Sequence, residues 1–240
     1  MDRAALERME AIEDRHWWFE GRRSILKSLI EPLVDAQTAI MEAGCGSGGN
    51  LALLKSFGTV DAFEYDDFAR RAAIAKSGLD IPYGALPDEI PYKGKHYDLI
   101  VLLDVLEHIE DDRSALMALS CHLKAEGHLL ITVPAFPWMW SKHDEHHHHF
   151  RRYTRESLTQ VAELAGLQVV ESHYFNTLLF PLAFVARGLK TLLRRDTPDD
   201  QLPAPPINSA LTWVFKLESR FIRQVSMPLG LSLAAVLVKA

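Results

Sequence analysis

The chain predicts an α/β fold: a mostly parallel sheet of about seven strands with helices on both faces. Three observations carry this. Apolar strand-like runs alternate with helical patterns along residues 39 to 175, the signature of a parallel sheet. The run "HYDLIVLLD" is almost continuously apolar, as expected of a strand covered on both faces. A glycine-rich turn, "EAGCGSGGN", follows the first strand, where open sheets of this kind hold their ligands.

The elements follow in order. "AIMEAG" is a short apolar run that breaks at glycine, a buried-strand signal. "LALLKSF" has helical spacing. "TVDAFEY" reads as the second strand, and "DDFARRAAIAKSG" as a helix ending at Gly78. "LDIPYG" reads as a short third strand and "HYDLIVLLD" as the fourth. "RSALMALSCHLKAEG" is helical, then "HLLITVPA" is a strand. "TRESLTQVAELAG" opens on Thr154 as N-cap, with Ser157 at N3, and closes at Gly166. "LQVVESHYF" and "LSLAAVLVK" complete the set.

Between these last two strands lie an apolar stretch, a Pro-rich link and the helix "SALTWVFKLESRFIRQ". Residues 176–228 therefore read as an insertion. Trp213, Leu217 and Phe221 give that helix one apolar stripe. The whole chain reads as a single domain: a lid over 1–30, a core over 39–175, the insertion, and a last strand over 229–240.

Composition narrows the function. With 240 residues and 48% hydrophobic content, a sizeable core is available. A formal net charge of -6 argues against a general nucleic-acid binder. Two cysteines suggest neither a disulfide framework nor a four-cysteine zinc site. The charged opening "MDRAALERMEAIEDRHWW" is no signal peptide, so a cytoplasmic location is expected. The stretch "YFNTLLFPLAFVARGL" is too short to span a bilayer but suits a pocket wall or a peripheral membrane contact.

The glycines fit two ligand classes. A phosphate-binding loop would need Lys then Ser or Thr, and Asn50 and Leu51 stand there. Gly44, Gly46 and Gly49 satisfy a dinucleotide turn, and Glu64 at the next strand end suits an adenosine ribose in either class. Glu42 discriminates. Beside a pyrophosphate it would cost about 1 kcal/mol or more; beside a sulfonium ligand carrying an ammonium it is attracted.

Glu42 to Gly48 resembles motif I of the class I S-adenosylmethionine-dependent methyltransferases, E/D-x-G-x-G-x-G. "YDLIVLLDVLEHIED" and "LKAEGHLLITVP" resemble that family's fourth-strand and fifth-strand motifs, and the opening "HWWFEGRRSIL" resembles a bacterial subgroup of the methyltransferase type 11/12 kind. The resemblance implies a Rossmann-like seven-stranded sheet with an antiparallel last strand, and S-adenosyl-L-methionine as cofactor. Gly44, Cys45, Gly46 and Gly48 would then lie along its methionine part. Glu64 would hold the ribose, with Tyr65 beside the adenine and Ala85 and Leu86 at its edge. Leu103, Asp104 and Val105 would floor the pocket, with Trp18 packing over the cofactor and Arg22 meeting its carboxylate.

"WSKHDEHHHHFRRYT" resembles the loop that this subgroup places over its acceptor. His143, Asp144 and His149 are the expected catalytic groups, with Asp144 orienting His149. Arg151, Arg152 and Tyr153 are expected to meet an anionic acceptor. Asp104, Glu107 and His108 share a D-x-x-E-H spacing, but most such turns in the family bind no metal, and none is assigned here. The expected activity is methyl transfer to a small or lipid-like acceptor, at O or N. A nicotinamide-dependent reductase is the rival reading, opposed by Glu42 and by the lack of a Tyr-x-x-x-Lys pair. A non-catalytic cofactor-binding protein is the other, opposed by the intact glycine turn and the polar acceptor loop.

Overall fold

A computed structural model describes residues 3–185 and 201–240. Its sheet has the strands β1 (Ala39–Ala43), β2 (Thr59–Phe63), β3 (Tyr97–Leu103), β4 (Leu123–Pro134), β5 (Leu167–Phe175) and β6 (Ser232–Lys239), in the order β2-β1-β3-β4-β6-β5. β1 pairs in parallel with both β2 and β3. The chain therefore runs outward in both directions from β1, and the crevice at the C-terminal ends of β1 and β3 is the switch point. β6 is antiparallel to both β4 and β5, as the family resemblance implies.

Six strands form among the described residues, not seven. The expected third strand is reduced to a single bridge between Glu64 and Tyr83. Pro82 has no N–H to donate, so a ladder cannot extend through it. The fifth expected strand begins earlier than its apolar pattern: the helix before it stops at Ser120, and β4 already pairs Leu123 with Tyr97.

Both sheet faces are covered, which explains the unbroken apolar runs. Helix α2 (Trp17–Ile30) lays Ile25, Leu26, Leu29 and Ile30 over Ile40, Leu99 and Leu130. On the other face, α5 (Asp112–Ser120) and α7 (Arg155–Leu164) bury Leu116, Leu119 and Leu158 against Met41, Ile100 and Ile131. α3 (Leu51–Lys55) follows the glycine turn, and α4 (Asp67–Ser77) is capped by Asp66 and ends with Gly78 at φ 71, the left-handed position that glycine supplies cheaply. Thr154 and Ser157 cap α7 reciprocally.

The lid expected over 1–30 has two unlike parts. α2 is a core helix on the sheet, whereas α1 (Arg3–Ile12) lies at the crevice. The insertion also departs from its pattern. Helix α8 (Pro205–Glu218) turns Thr212, Phe215 and Glu218 inward and leaves Trp213 68% exposed. Phe215 packs against Gly21 of α2, where a Cβ would stand 2.2 Å from its ring. The expected Trp213 stripe is thus rotated, because Glu218 accepts hydrogen bonds from the Thr177 and Leu178 amides (3.0 and 2.7 Å). The end of the apolar stretch and the first four residues of the Pro-rich link, within residues 186–200, lie outside the described residues.

Candidate functional site

One cavity of about 780 Å³ opens at the switch point. That volume falls in the upper range for small-molecule sites. It runs past the turn after β1, the end of β2 and the turn after β3, under α1 and the first turns of α2.

The turn after β1 is shaped by its glycines. Gly44, Gly46 and Gly48 have φ of 71, 56 and 86, a region that side chains disfavour. The amides of Gly44 and Cys45 both donate to the Phe63 carbonyl, tying the turn to β2. A side chain at Gly44 would meet Val105 at 3.0 Å, so the two switch-point turns touch through that glycine. Gly48 is not among the lining residues. A Cβ there would stand 3.0 Å from the α4 backbone at Ala73, so its role is packing, and Gly49 lines the cavity instead.

Two carboxylates project from the strand ends. Glu42 is 1% exposed; Oε1 accepts from Asn50 Nδ2 (3.1 Å), while Oε2 is buried with no hydrogen-bond partner. Burial pushes its pKa up to about 8. An orphaned acceptor beside a cavity is completed by a ligand cation. Glu64 is buried, and accepts from the Gly46 and Asp66 amides (2.7 and 2.8 Å), which fixes its carboxylate at the rim; burial raises its pKa. Tyr65, Ala85, Leu86 and Cys45 line the same wall, with the Cys45 thiol pushed up by burial.

At the floor, Leu103, Asp104 and Val105 all line the cavity, with Asp104 at φ 55. Arg22 pairs with Asp104 at 2.5 Å, and its guanidinium lies 5.1 Å from the Trp18 ring centroid. Both Trp18 and Arg22 line the cavity. The Arg22 charge is therefore shared with Asp104, a partner that spacing does not reveal.

The loop after β4 folds back onto this floor. Asp144 is fully buried. It caps the short helix α6 (Lys142–His146) and takes a bidentate pair from Arg152 (2.7 and 2.9 Å). Its other contact is His149 Nδ1, at 2.9 Å. Burial opposes ionisation of Asp144, but the hydrogen bonds from His149 and Arg152 outweigh it and hold the carboxyl well below its ordinary range. Asp144 does not reach the cavity; it positions His149. His143 lies against His147, with ring centroids 4.1 Å apart and the planes tilted by 37°, and is also absent from the lining.

The Phe150 amide donates to the Glu107 carbonyl (2.7 Å), which seats the loop on the turn after β3. His149 meets His108 edge to face, with centroids 4.6 Å apart. Glu107, in the 3-10 turn Leu106–His108, is 1% exposed; burial and nearby Asp104 push its pKa well up. Burial, then His149, lowers His108 to about 3 and keeps it neutral.

The trio expected to meet an anionic acceptor is engaged within the fold. Arg152 holds Asp144, while Arg151 and Tyr153 both hold Asp112 at 2.7 and 2.8 Å. The sequence pattern also missed Met9, Glu13, Phe19, Asp66, His148 and Phe150, which line the cavity. Asp66 stands two residues past Glu64 and was within reach of a motif reading. The others arrive through α1 and the returning loop, which local spacing does not place. None of the described residues of 176–228 lines the cavity.

A family described as a methyltransferase domain matches residues 17–172. Among curated proteins, a ubiquinone biosynthesis O-methyltransferase of Rickettsia canadensis (strain McKiel) is 26% identical over 150 residues, covering 55% of this chain and 64% of that protein. The chain thus spans less than two thirds of that relative's length. A TehB-like SAM-dependent methyltransferase from Corynebacterium glutamicum superposes with a TM-score of 0.55 at 19% identity, covering 92% of this chain and 87% of that one. The [4+2]-cyclase SpnF superposes with a TM-score of 0.59 at 16% identity, covering 98% and 92%. At such identities the structural likeness shows the fold alone.

Proposed function

Since the chain belongs to the methyltransferase-domain family, as an S-adenosylmethionine-dependent enzyme of class I, we propose that it methylates a hydroxyl of a small or lipid-like acceptor. The observation that carries this reading is the polar corner of the cavity floor. There His108 lines the cavity shared with the glycine turn, and the Asp144-held His149 and Glu107 stand beside it. Transfer to a hydroxyl requires removal of a proton, and an oriented imidazole is suited to that. The name of the 26% identical relative, an O-methyltransferase acting in ubiquinone biosynthesis, supports the same acceptor atom and class.

The residues present fit the cofactor. Glu42 Oε2, unpartnered and beside the cavity, would accept its ammonium, Glu64 would meet the ribose hydroxyls, and the lining residues Tyr65, Ala85 and Leu86 would flank the adenine. Trp18 and Arg22, which also line the cavity, would cover the methionine end. The bound cofactor supplies a methyl group already activated on positively charged sulfur. What remains for the protein is to hold the acceptor in line, to exclude water and to take up or release the acceptor's proton at this corner.

The test is a panel of hydroxylated, prenylated and amine acceptors with labelled cofactor. Single-turnover rates would be measured for His149→Ala and Asp144→Asn, with cofactor affinity measured in parallel. A positioned base contributes about 10²–10⁴-fold. Unchanged rates in both variants, or turnover of amines alone, would overturn the hydroxyl reading.

A second reading concerns where the acceptor is met. Trp138 and Phe184 are exposed and cluster with the half-buried Phe180, Trp138 lying 6.2 Å from each of the other two ring centroids. Among the described residues no helix is long and apolar enough to cross a membrane. The cluster supports a peripheral contact with a lipid surface instead. Co-sedimentation with vesicles, lost in Trp138→Ser with Phe184→Ser, is the check.

A further inference from the structure

Helix α1 covers the cavity without belonging to a core. Leu6 and Met9 line the cavity, and no described residue of α1 joins the apolar clusters of the fold. Among the described side chains, the first buried one along the chain is Glu13, just past the helix, at 5% exposure. A carboxylate is rarely buried without a partner. Glu13 Oε1 pairs with Lys76 Nζ of α4, and its Oε2 rests on Gly49, where any Cβ would collide with it. Gly49 belongs to the glycine turn but is not among the glycines with positive φ. Its missing side chain therefore makes room for Glu13 and does not serve the bend of the turn.

The chain between α1 and α2 is pinned from the other side. Asn208 of α8 accepts from the Trp17 amide (2.9 Å) and donates to the Arg15 carbonyl (2.8 Å). Arg23 of α2 donates to the Glu13 carbonyl (3.0 Å). With this pivot held, the direction in which α1 leaves it depends on where the Glu13 carboxylate sits. We propose that Glu13 is a positioning residue of the enzyme: seated on Gly49 and held by Lys76, it sets the angle at which α1 closes over the cofactor, and loss of that seat opens the cavity. The proposal rests on the cofactor reading of the cavity given above.

The physics of the pair suits this task. Burial opposes the charge on Lys76, but the bond to Glu13 outweighs it and raises the Lys76 pKa, so the pair stays ionised. A buried ion pair adds little net stability, yet removing one partner strands the other charge, so the pair fixes a geometry. Segments with few apolar anchors are the ones that open locally while a core stays folded. In this cavity wall that segment is α1, because α2 and the strand ends belong to the apolar clusters. The seat also adjoins the methionine end. Gly49 precedes Asn50, and Asn50 Nδ2 holds Glu42 at 3.1 Å. A loaded cofactor and a closed α1 thus share one wall, and each favours the other to the same degree.

The experiment uses the full chain and S-adenosylhomocysteine. Amide hydrogen exchange in α1 is followed with and without the ligand, and ligand release is timed by displacement. In the wild type the ligand should slow exchange in α1. Glu13→Gln and Lys76→Met should each abolish that protection and speed release by roughly 2–150-fold, the span of coupling energies between residues in contact. Gly49→Ala should act through the same seat. It should speed release in the wild type and add nothing in a Glu13→Ala background. Lys124→Met, which removes an ion pair with Asp98 at the opposite edge of the sheet, should leave both readouts unchanged. Exchange in α1 that ignores the ligand in the wild type, or a Gly49→Ala effect undiminished by Glu13→Ala, overturns the proposal. Circular dichroism checks each fold, and if Lys76→Met fails to fold, the cycle of Gly49→Ala with Glu13→Ala decides. Ligand binding without a response in α1 defeats this proposal alone; no binding to the wild type defeats the cofactor reading of the cavity and this proposal with it.

Discussion

Asp144 and His149 are joined through Oδ1 and Nδ1 at 2.9 Å, and the carboxylate that holds the imidazole is buried under Arg152. The arrangement divides labour within one loop. Arg152 keeps Asp144 ionised, Asp144 fixes the ring of His149, and only the ring edge is turned to the neighbouring Glu107 and His108. Sequence neighbours could not have done this, since His143 and Asp144 leave the same short helix in different directions.

Asp144→Ala is expected to destabilise the fold by about 3–5 kcal/mol, because it leaves a buried guanidinium unpaired. Urea unfolding at neutral pH measures it. The sign with pH follows from the direction of the shift. The Asp144 pKa is depressed by the fold, so its contribution is present above the ordinary aspartate value and is lost as pH falls through the folded one. The difference between wild type and Asp144→Asn should therefore shrink on acidification below about pH 4, the ordinary aspartate value. A difference that stays constant to acid would contradict the pairing.

Glu42 makes cofactor affinity depend on pH. With its pKa raised to about 8 by burial, the empty site holds a protonated carboxyl at neutral pH, with Arg22 acting against the shift and Glu64 and Glu13 adding to it. A ligand ammonium requires the ionised form. Affinity should rise as pH increases toward 8, by up to about tenfold per unit, and then level off. The same shift means that the empty protein loses stability between about pH 4.5 and 8, as the unfolded chain ionises first. Calorimetry across that range, in buffers of different ionisation heat, should show proton release on binding. Glu42→Gln should flatten the profile.

The legible parts of this chain were those written locally. Strand and helix periods, the Gly78 helix end, the Thr154 cap and the turn from Glu42 to Gly48 depend on residues a few positions apart. The illegible parts depend on where distant segments land. Nothing near Asp144 announces Arg152 as its counter-ion. Nothing near Glu107 announces His149, which reaches it only because Phe150 bonds back to the Glu107 carbonyl. In α8 hydropathy misled outright. Glu218 is 2% exposed because two backbone amides of the chain after β5 need an acceptor, and this turns Trp213 outward. The expected third strand failed for a local reason that hydropathy outweighed, the missing amide of Pro82.

Glu218→Ala should accordingly cost about 1–3 kcal/mol, the penalty for leaving buried donors unsatisfied. Thermal unfolding measures it. Trp213→Ser should cost under about 0.5 kcal/mol, as an exposed substitution. The opposite ranking would restore the apolar stripe read from the sequence and contradict the orientation of α8.

Glu64→Ala tests the ribose side. The carboxylate holds the Gly46 and Asp66 amides, so its removal both unpins the glycine turn and deletes the ribose acceptor. A hydrogen bond to a charged group is worth about 1.5–3 kcal/mol, a loss of roughly 10–150-fold in cofactor affinity. Glu64→Gln separates the two effects. Its amide oxygen can still accept from one backbone N–H, but its NH₂ repels the other, so the turn is half held. If ribose contact dominates, S-adenosylhomocysteine binding should fall in both variants, while binding of methionine alone stays near wild type. If turn geometry dominates, methionine binding falls as well, because the loosened turn is the wall against which the amino acid end is placed.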